Sequence, residues 1–245
     1  MGPGSVERME RRAVVLLSGG LDSSVAAAKA VSDGYAIYAM TFLYGQSHSR
    51  EVESARRVAE FLGAKDHVMV ELPPFLFSSS ALLGGAEIPT GRNADEIPRG
   101  EIPSTYVPAR NIVFLSVASA WAENLQAEAV YIGVNALDYS GYPDCRPEFI
   151  EAFREVLRWG TKAGVGGRPL KIIAPLIGMS KAEIVRLGHS LGLDFSLTWS
   201  CYRGGERACG VCDSCRLRIK GFKEAGLKDP LPYEVEVDWG EAGEG

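Results

Sequence analysis

The chain has 245 residues, enough for one large domain or two small ones with a buried core. Hydrophobic residues make up 46% and charged residues 23%, an ordinary globular composition that excludes a mainly disordered or fibrous chain. The formal charge of −5 argues against a nucleic-acid backbone as main partner, and no apolar run approaches the roughly twenty residues of a membrane span. Met1 to Arg12 is polar and has no apolar h-region, so a cytoplasmic location is expected. Residues 1–12 are read as an extension whose first five resemble an expression-tag scar.

In chain order, strands and helices alternate. Arg12 to Leu17 is a short apolar, β-branched run ending at Ser18-Gly19-Gly20, which reads as a buried strand entering a tight turn. Asp22-Ser23-Ser24 then leads an alanine-rich helix with polar caps at its start, closed by Gly34. Tyr35 to Leu43 is a second buried strand, Ser49 to Leu62 a helix of near-helical apolar spacing, and Asp66 to Val70 a third strand. Residues 73–108 lack a sustained period and are rich in Pro and Gly, the mark of a lid, a binding loop or disorder. Then come a helix at Asn111 to Asn124, a strand at Ala129 to Gly133, a helix at Arg146 to Trp159 broken by glycines, a strand at Lys171 to Ala174, and a capped helix at Ser180 to Gly188. This alternation predicts an α/β fold with a right-handed, mostly parallel sheet flanked by helices. It spans residues 13–193, with a small cysteine-bearing appendage over 194–226 and a tail over 227–245.

Ser18-Gly19-Gly20-Leu21-Asp22-Ser23 falls between a strand and a helix N-terminus. Its glycines permit a tight turn and close backbone approach to a ligand, and the free amides and dipole of the next helix favour an anion. Asp22 beside a phosphate calls for a divalent cation between them. The bland alternative is a glycine turn with a Ser/Asp helix cap. Neither a Walker loop nor a dinucleotide fingerprint occurs in the chain.

Cys201, Cys209, Cys212 and Cys215 crowd into fifteen positions, while Cys145 stands alone. Four clustered thiolates in a chain of this kind point to metal rather than a disulfide framework. They suit a closed tetrahedral zinc site, with an iron–sulfur cluster or free thiols as alternatives.

The S-G-G-L-D-S loop resembles the pyrophosphatase loop of the N-type ATP pyrophosphatases (PP-loop enzymes), in which the loop holds the leaving pyrophosphate while an adenylate forms. Three further segments sharpen the match: Phe42-Leu43-Tyr44-Gly45-Gln46-Ser47-His48, Pro103 to Asn111, and Gly133 to Arg146. With the loop and the cysteines, they resemble the 7-cyano-7-deazaguanine synthases, the preQ0 synthases of queuosine and archaeosine biosynthesis, from about Ala13 to Gly226. Leu43 and Ser47 depart from that family's usual residues.

The resemblance implies an adenine nucleotide alpha hydrolase-like fold and ATP-driven conversion of 7-carboxy-7-deazaguanine and ammonia into the nitrile. It also implies a structural zinc, Mg2+ with ATP, and a homodimer without nucleic-acid or membrane partners. ATP would lie on Leu17, Ser18, Gly19, Gly20, Leu21, Asp22, Ser23, Ser24 and His48. Asp22, Ser23, Lys181 and Arg110 would be catalytic. Tyr106, Asn111, Asp138, Tyr139, Ser140, Asp144 and Arg146 would bind the base, where carboxylates suit the N–H edge of a guanine-like ring and aromatic faces can stack on it. Rival readings are a tRNA thiolase, against which the charge counts, and a relative that joins the activated deazaguanine to a protein amine. His67 and His189 are expected to be structural, and a catalytic Cys145 is the less favoured reading.

Overall fold

The computed structural model describes residues 10–45, 49–77, 102, 106–137 and 142–240. His48, Asp138, Tyr139, Ser140 and most of the irregular 73–108 stretch lie outside the described residues.

Five parallel strands form one sheet in the order β3-β2-β1-β4-β5. They are β1 (Arg12–Leu16), β2 (Ala36–Leu43), β3 (Asp66–Glu71), β4 (Ala129–Tyr131) and β5 (Lys171–Ile173). Helices α1 (Leu21–Ser32), α2 (Ser49–Phe61), α3 (Arg110–Asn124), α4 (Pro147–Gly160) and α5 (Lys162–Val165) lie between the strands, and α6 (Lys181–Ser190) and α7 (Asp213–Ala225) follow β5.

The apolar run of β1 is explained by helices on both sheet faces. Val14 and Leu16 point to one face and pack with Val130, Ile172, Leu115 of α3 and Phe153 of α4. Ala13, Val15 and Leu17 point to the other and meet Ala27 and Ala30 of α1 and Ala55 and Val58 of α2. Fully burying a Leu or Ile of this kind contributes about 1.5–3 kcal/mol. A third cluster joins α1 to α6 and α7 through Val25, Ile184, Val185, Phe195 and Phe222.

Strand order reverses at β1, with β2 on one side and β4 on the other. The crevice beyond the carboxyl ends of β1 and β4 is therefore where an open sheet of this kind binds ligands.

Several expectations are corrected. No side chain caps α1: its N-cap is Gly20, and the nearby hydroxyls are engaged inside the loop. The strand expected to reach Gly133 ends at Tyr131, because Gly133 turns against the backbone of Asp22. Arg146 precedes α4 as its N-cap, with Pro147 as first helical residue, as proline's fixed φ favours. α5 and α7 were not anticipated. α7 starts after its N-cap Cys212, carries Cys215 in its first turn and ends at left-handed Gly226 (φ +75°). Residues 227–240, expected as a tail, lie on this segment, with Asp229, Leu231 and Tyr233 buried.

Candidate active site

Beyond β1 the chain turns at Gly19 (φ +84°), a conformation that glycine adopts without strain. Space demands glycine there too. A Cβ at 19 would lie 2.2 Å from the Glu51 carbonyl oxygen and 2.6 Å from the Ala55 nitrogen, so the first turn of α2 rests directly on the loop. Trp199 holds the other side, its backbone N–H donating to the Gly19 carbonyl at 2.8 Å. The loop also ties itself together. Ser23 Oγ accepts from the Ser18 N–H at 3.2 Å and donates to the Gly20 carbonyl at 3.1 Å, and Ser24 Oγ donates to that same carbonyl at 2.8 Å. With no side-chain cap, the amides opening α1 face the cleft as an anion cradle.

Lys181 begins α6, whose start is set by a reciprocal capping box between Ser180 and Glu183. Its ammonium donates to both carboxylate oxygens of Asp22 at 2.8 Å. α7 seats this lysine, because a Cβ at Gly221 would lie 2.3 Å from Lys181 Cγ. Two residues 159 positions apart thus meet at the mouth of the loop.

The cleft in front of the loop has a volume of about 300 Å³. One wall is aromatic: Phe42 and Phe114 stack at 4.0 Å with rings 4° apart, beside Tyr44 and Tyr142. Arg110 stands over Phe114 at 5.9 Å and lines the same wall. Burial pulls its guanidinium pKa down, but Tyr44, Cys145, Asp144 and Tyr142 outweigh this, so its pKa is raised and the cation persists.

Of the residues assigned from sequence, the cleft brings together Leu17, Ser18, Gly20, Leu21, Asp22, Ser23, Arg110, Asn111 and Lys181. Five others are not among its lining residues: Gly19 and Ser24 belong to the loop itself, and Asp144, Tyr106 and Arg146 lie elsewhere among the described residues. The Asp144 carboxylate accepts from the Asn111 N–H at 2.9 Å and its carbonyl from Asn111 Nδ2 at 3.0 Å, so its oxygens satisfy the start of α3. Tyr106 presents its hydroxyl to the Ala109 N–H at 3.0 Å, beneath the left-handed residue that precedes α3. Arg146 is exposed. Asp144 and Tyr106 therefore position Arg110 and Asn111. Cys145 does line the cleft, but burial pushes its thiol up to about 12, which leaves little thiolate near neutral pH. His67 bonds Thr41 at 2.8 Å within the fold.

The sequence reading missed the contribution of the cysteine segment. Trp199, Ser200, Tyr202, Ser214, Leu217 and Arg218 line the cleft, so the appendage forms one wall. Glu51 was missed as well. The signal was present in both cases: a tryptophan two positions before the first cysteine, and a carboxylate in the first turn after the F-L-Y-G-Q segment.

The four sulfurs of Cys201, Cys209, Cys212 and Cys215 lie within 4.8 Å of one another, all buried. A tetrahedral ion with metal–sulfur bonds of about 2.3 Å requires sulfurs about 3.8 Å apart. Cys209 and Cys215 are 3.9 Å apart. Backbone amides add to the fit: Cys209 N–H donates to Cys201 Sγ at 3.3 Å and Cys212 N–H to Cys209 Sγ at 3.4 Å, contacts that stabilise thiolates. Hydrogen bonds from Cys212 and Cys215 hold the Cys201 thiol below its ordinary range. The same contacts push Cys212 up to about 12 and raise Cys215. Thiols so close cannot all ionise without a cation, and the donor set fits one soft, four-coordinate metal.

A parallel sheet with an uncapped S-G-G-L-D-S loop at its switch point defines an α/β nucleotide-binding enzyme of the PP-loop type. The comparisons narrow that class. Residues 12–226 match the family model described as "Queuosine biosynthesis protein QueC". The chain is 54% identical over 223 residues to the 7-cyano-7-deazaguanine synthase of Nostoc sp., which covers 91% of this chain and 97% of that one. It is 53% identical over 227 residues to the protein of that name in Acetivibrio thermocellus (91% and 98%), and 53% identical over 226 residues to that of Pseudomonas putida (91% and 99%). The chain belongs to the QueC family.

Proposed function

We propose that the chain is an ATP-dependent ligase. It converts 7-carboxy-7-deazaguanine and ammonia to 7-cyano-7-deazaguanine, with release of AMP and pyrophosphate, in queuosine or archaeosine biosynthesis. The observation that carries this reading is the uncapped loop of residues 18–23 at the strand-order reversal, facing the Asp22–Lys181 pair. Family membership supplies the substrate. The loop amides bind the leaving pyrophosphate, and the α-phosphorus is then presented to the substrate carboxylate. Two C–O bonds must be replaced between carboxylate and nitrile, and oxide is a poor leaving group near neutral pH. Each oxygen is therefore adenylated in turn, with the primary amide between.

In this reading Asp22 holds the magnesium that accompanies ATP and neutralises phosphate charge, while Lys181 turns to a phosphate oxygen. Ser23 supports the loop, and Arg110 meets phosphate or the substrate carboxylate. The aromatic wall at Phe42, Phe114 and Tyr142 provides flat surfaces for the deazaguanine ring, and Asn111 lines the same cleft. His48 toward ATP, and Asp138, Tyr139 and Ser140 toward the base, are assigned from the family resemblance. Zinc on the four cysteines cross-links residues 194–226, which work with 13–193 as one unit. A cytoplasmic location and a homodimer complete the reading.

The test is incubation with 7-carboxy-7-deazaguanine, ATP, magnesium and ammonium, followed by mass spectrometry and nucleotide analysis. We expect two AMP and two pyrophosphate per nitrile, with the amide detectable when ATP is limiting. ADP and phosphate as products would overturn the adenylate mechanism. Coupling to a protein amine in preference to ammonia would overturn the nitrogen source.

A further inference from the structure

Among the described residues lining the cleft, the carboxylates are Asp22 and Glu51. Asp22 engages Lys181 with both oxygens. The backbone of Glu51 is fixed against the loop. Its backbone carbonyl abuts Gly19, Trp199 binds the far side of Gly19, and neighbouring Arg50 lies 4.7 Å over the Trp199 ring. Glu51 lines the same cleft as the loop residues and Arg110. Among the described residues no hydrogen bond or ion pair engages its carboxylate.

The reaction proposed above has a demand that the pyrophosphate loop does not meet. Ammonia exists near neutral pH mainly as ammonium, which has no lone pair, so a group beside the activated carbonyl must take a proton. Asp22 pairs with Lys181 in this structure and is assigned above to magnesium, and the Cys145 thiol is a poor acceptor. Glu51 is chemically suited: a carboxylate attracts a small cation, and it stands half-buried in the cleft wall. We propose that Glu51 binds the incoming ammonium and accepts its proton, so that ammonia attacks the adenylate beside the loop.

The step balances. An ammonium N–H bond breaks and its proton passes to the Glu51 carboxylate. The freed lone pair forms the C–N bond, and the C–O bond to AMP breaks with its electron pair leaving on the AMP phosphate oxygen. Glu51 returns its proton to cleft water and takes the second one from the now cationic nitrogen, leaving the primary amide.

Electrostatics agree with the geometry. Burial raises the Glu51 carboxyl to about 7; Arg110 from α3 opposes this and Cys201 from the cysteine segment reinforces it. The other charged side chains lining the cleft among the described residues are Asp22, Lys181 and Arg218, and Arg50 neighbours Glu51 on its own helix. A base poised near the working pH is the most effective kind.

The inference rests on the function proposed above, and Glu51→Gln tests the two separately. Substrate-dependent exchange of labelled pyrophosphate into ATP reads adenylation; ammonium-dependent amide formation, measured from pH 6.5 to 9.5, reads proton transfer. We expect exchange within about twofold of wild type and kcat/KM for ammonium down about 100-fold at pH 7. That deficit should shrink toward pH 9.5, as free ammonia becomes abundant, and Glu51→Asp should recover part of the rate at pH 7. A deficit equal at every pH, an unchanged rate at pH 7, or loss of exchange in the variant alone would overturn the role of Glu51. Absence of exchange in the wild type would instead remove the adenylation reading, and this inference with it.

Discussion

Removing the carboxylate of Asp229 perturbs the most enclosed ion pair among the described residues. Arg218 and Asp229 have side chains only 2% and 0% exposed. Asp229 accepts four hydrogen bonds: Arg218 Nε at 2.6 Å, Arg218 Nη2 at 3.0 Å, the Leu231 N–H at 3.1 Å and the Tyr233 hydroxyl at 2.7 Å. The guanidinium also donates to Thr198, Ser200 and the Phe195 carbonyl, tying α7 to the chain before Cys201 and to the residues after Gly226. Asp229→Ala leaves a buried cation without its counter-charge, and breaking a pair of this kind costs about 3–5 kcal/mol. At roughly 2–4 °C per kcal/mol for a chain of this size, the melting temperature should fall by roughly 10 °C.

Thermal and urea unfolding measure that loss, and a colorimetric chelator follows metal release from the neighbouring cysteines. The double variant Arg218→Met/Asp229→Leu sharpens the test, since replacing both partners with apolar groups removes the stranded charge and should recover much of the loss. A loss below about 1 kcal/mol in Asp229→Ala would refute the reasoning. So would a double variant no more stable than Asp229→Ala, because the cost would then lie in packing rather than charge.

Gly133→Ala places a Cβ 2.8 Å from backbone atoms of Asp22 and Ser23, so the loop must shift; we expect KM for ATP to rise about tenfold and the melting temperature to fall by several degrees. Cys212→Ser, or removal of metal by a strong chelator, should lower the melting temperature by several degrees and abolish the bound metal measured by elemental analysis. Burial holds the His67 pKa below its ordinary value; the folded state then binds its proton less readily than the unfolded state. Stability from this source is complete above the ordinary histidine range and is lost as pH falls below about 6.5, so His67→Gln should flatten the pH dependence of melting between pH 5 and 7.

The sheet was legible because β1, β2 and β4 are apolar on both faces, and the loop because its glycines and acid sit between a strand and a helix. α7 was obscured. Its buried positions include Cys215, Arg218 and Gly221 beside Leu217, Ile219 and Phe222, a mixture without a clean apolar stripe, and the cysteine motif masks its first turn. Asp144 shows a different limit. Its residue type suits the edge of a base, yet its partner is a backbone amide 33 residues away, which no local pattern reveals. Arg218 and Asp229 are only eleven positions apart, but nothing in their composition announces that both are buried.

These obscured elements explain how a cysteine cluster bears on ATP chemistry without touching it. Cys201 lies two residues beyond Trp199, whose indole N–H donates to the Cys201 carbonyl at 3.0 Å and whose backbone N–H holds the Gly19 carbonyl. Cys215 lies in the first turn of α7, which carries Gly221 against the stem of Lys181. A metal held by the four sulfurs would therefore fix two supports of the site, one under the glycine turn and one beside the lysine that meets Asp22. Such a metal would be a determinant of loop geometry. Its loss should weaken ATP binding before it unfolds the sheet, because the strands reach their core contacts through α1 to α4, independently of the cysteine segment.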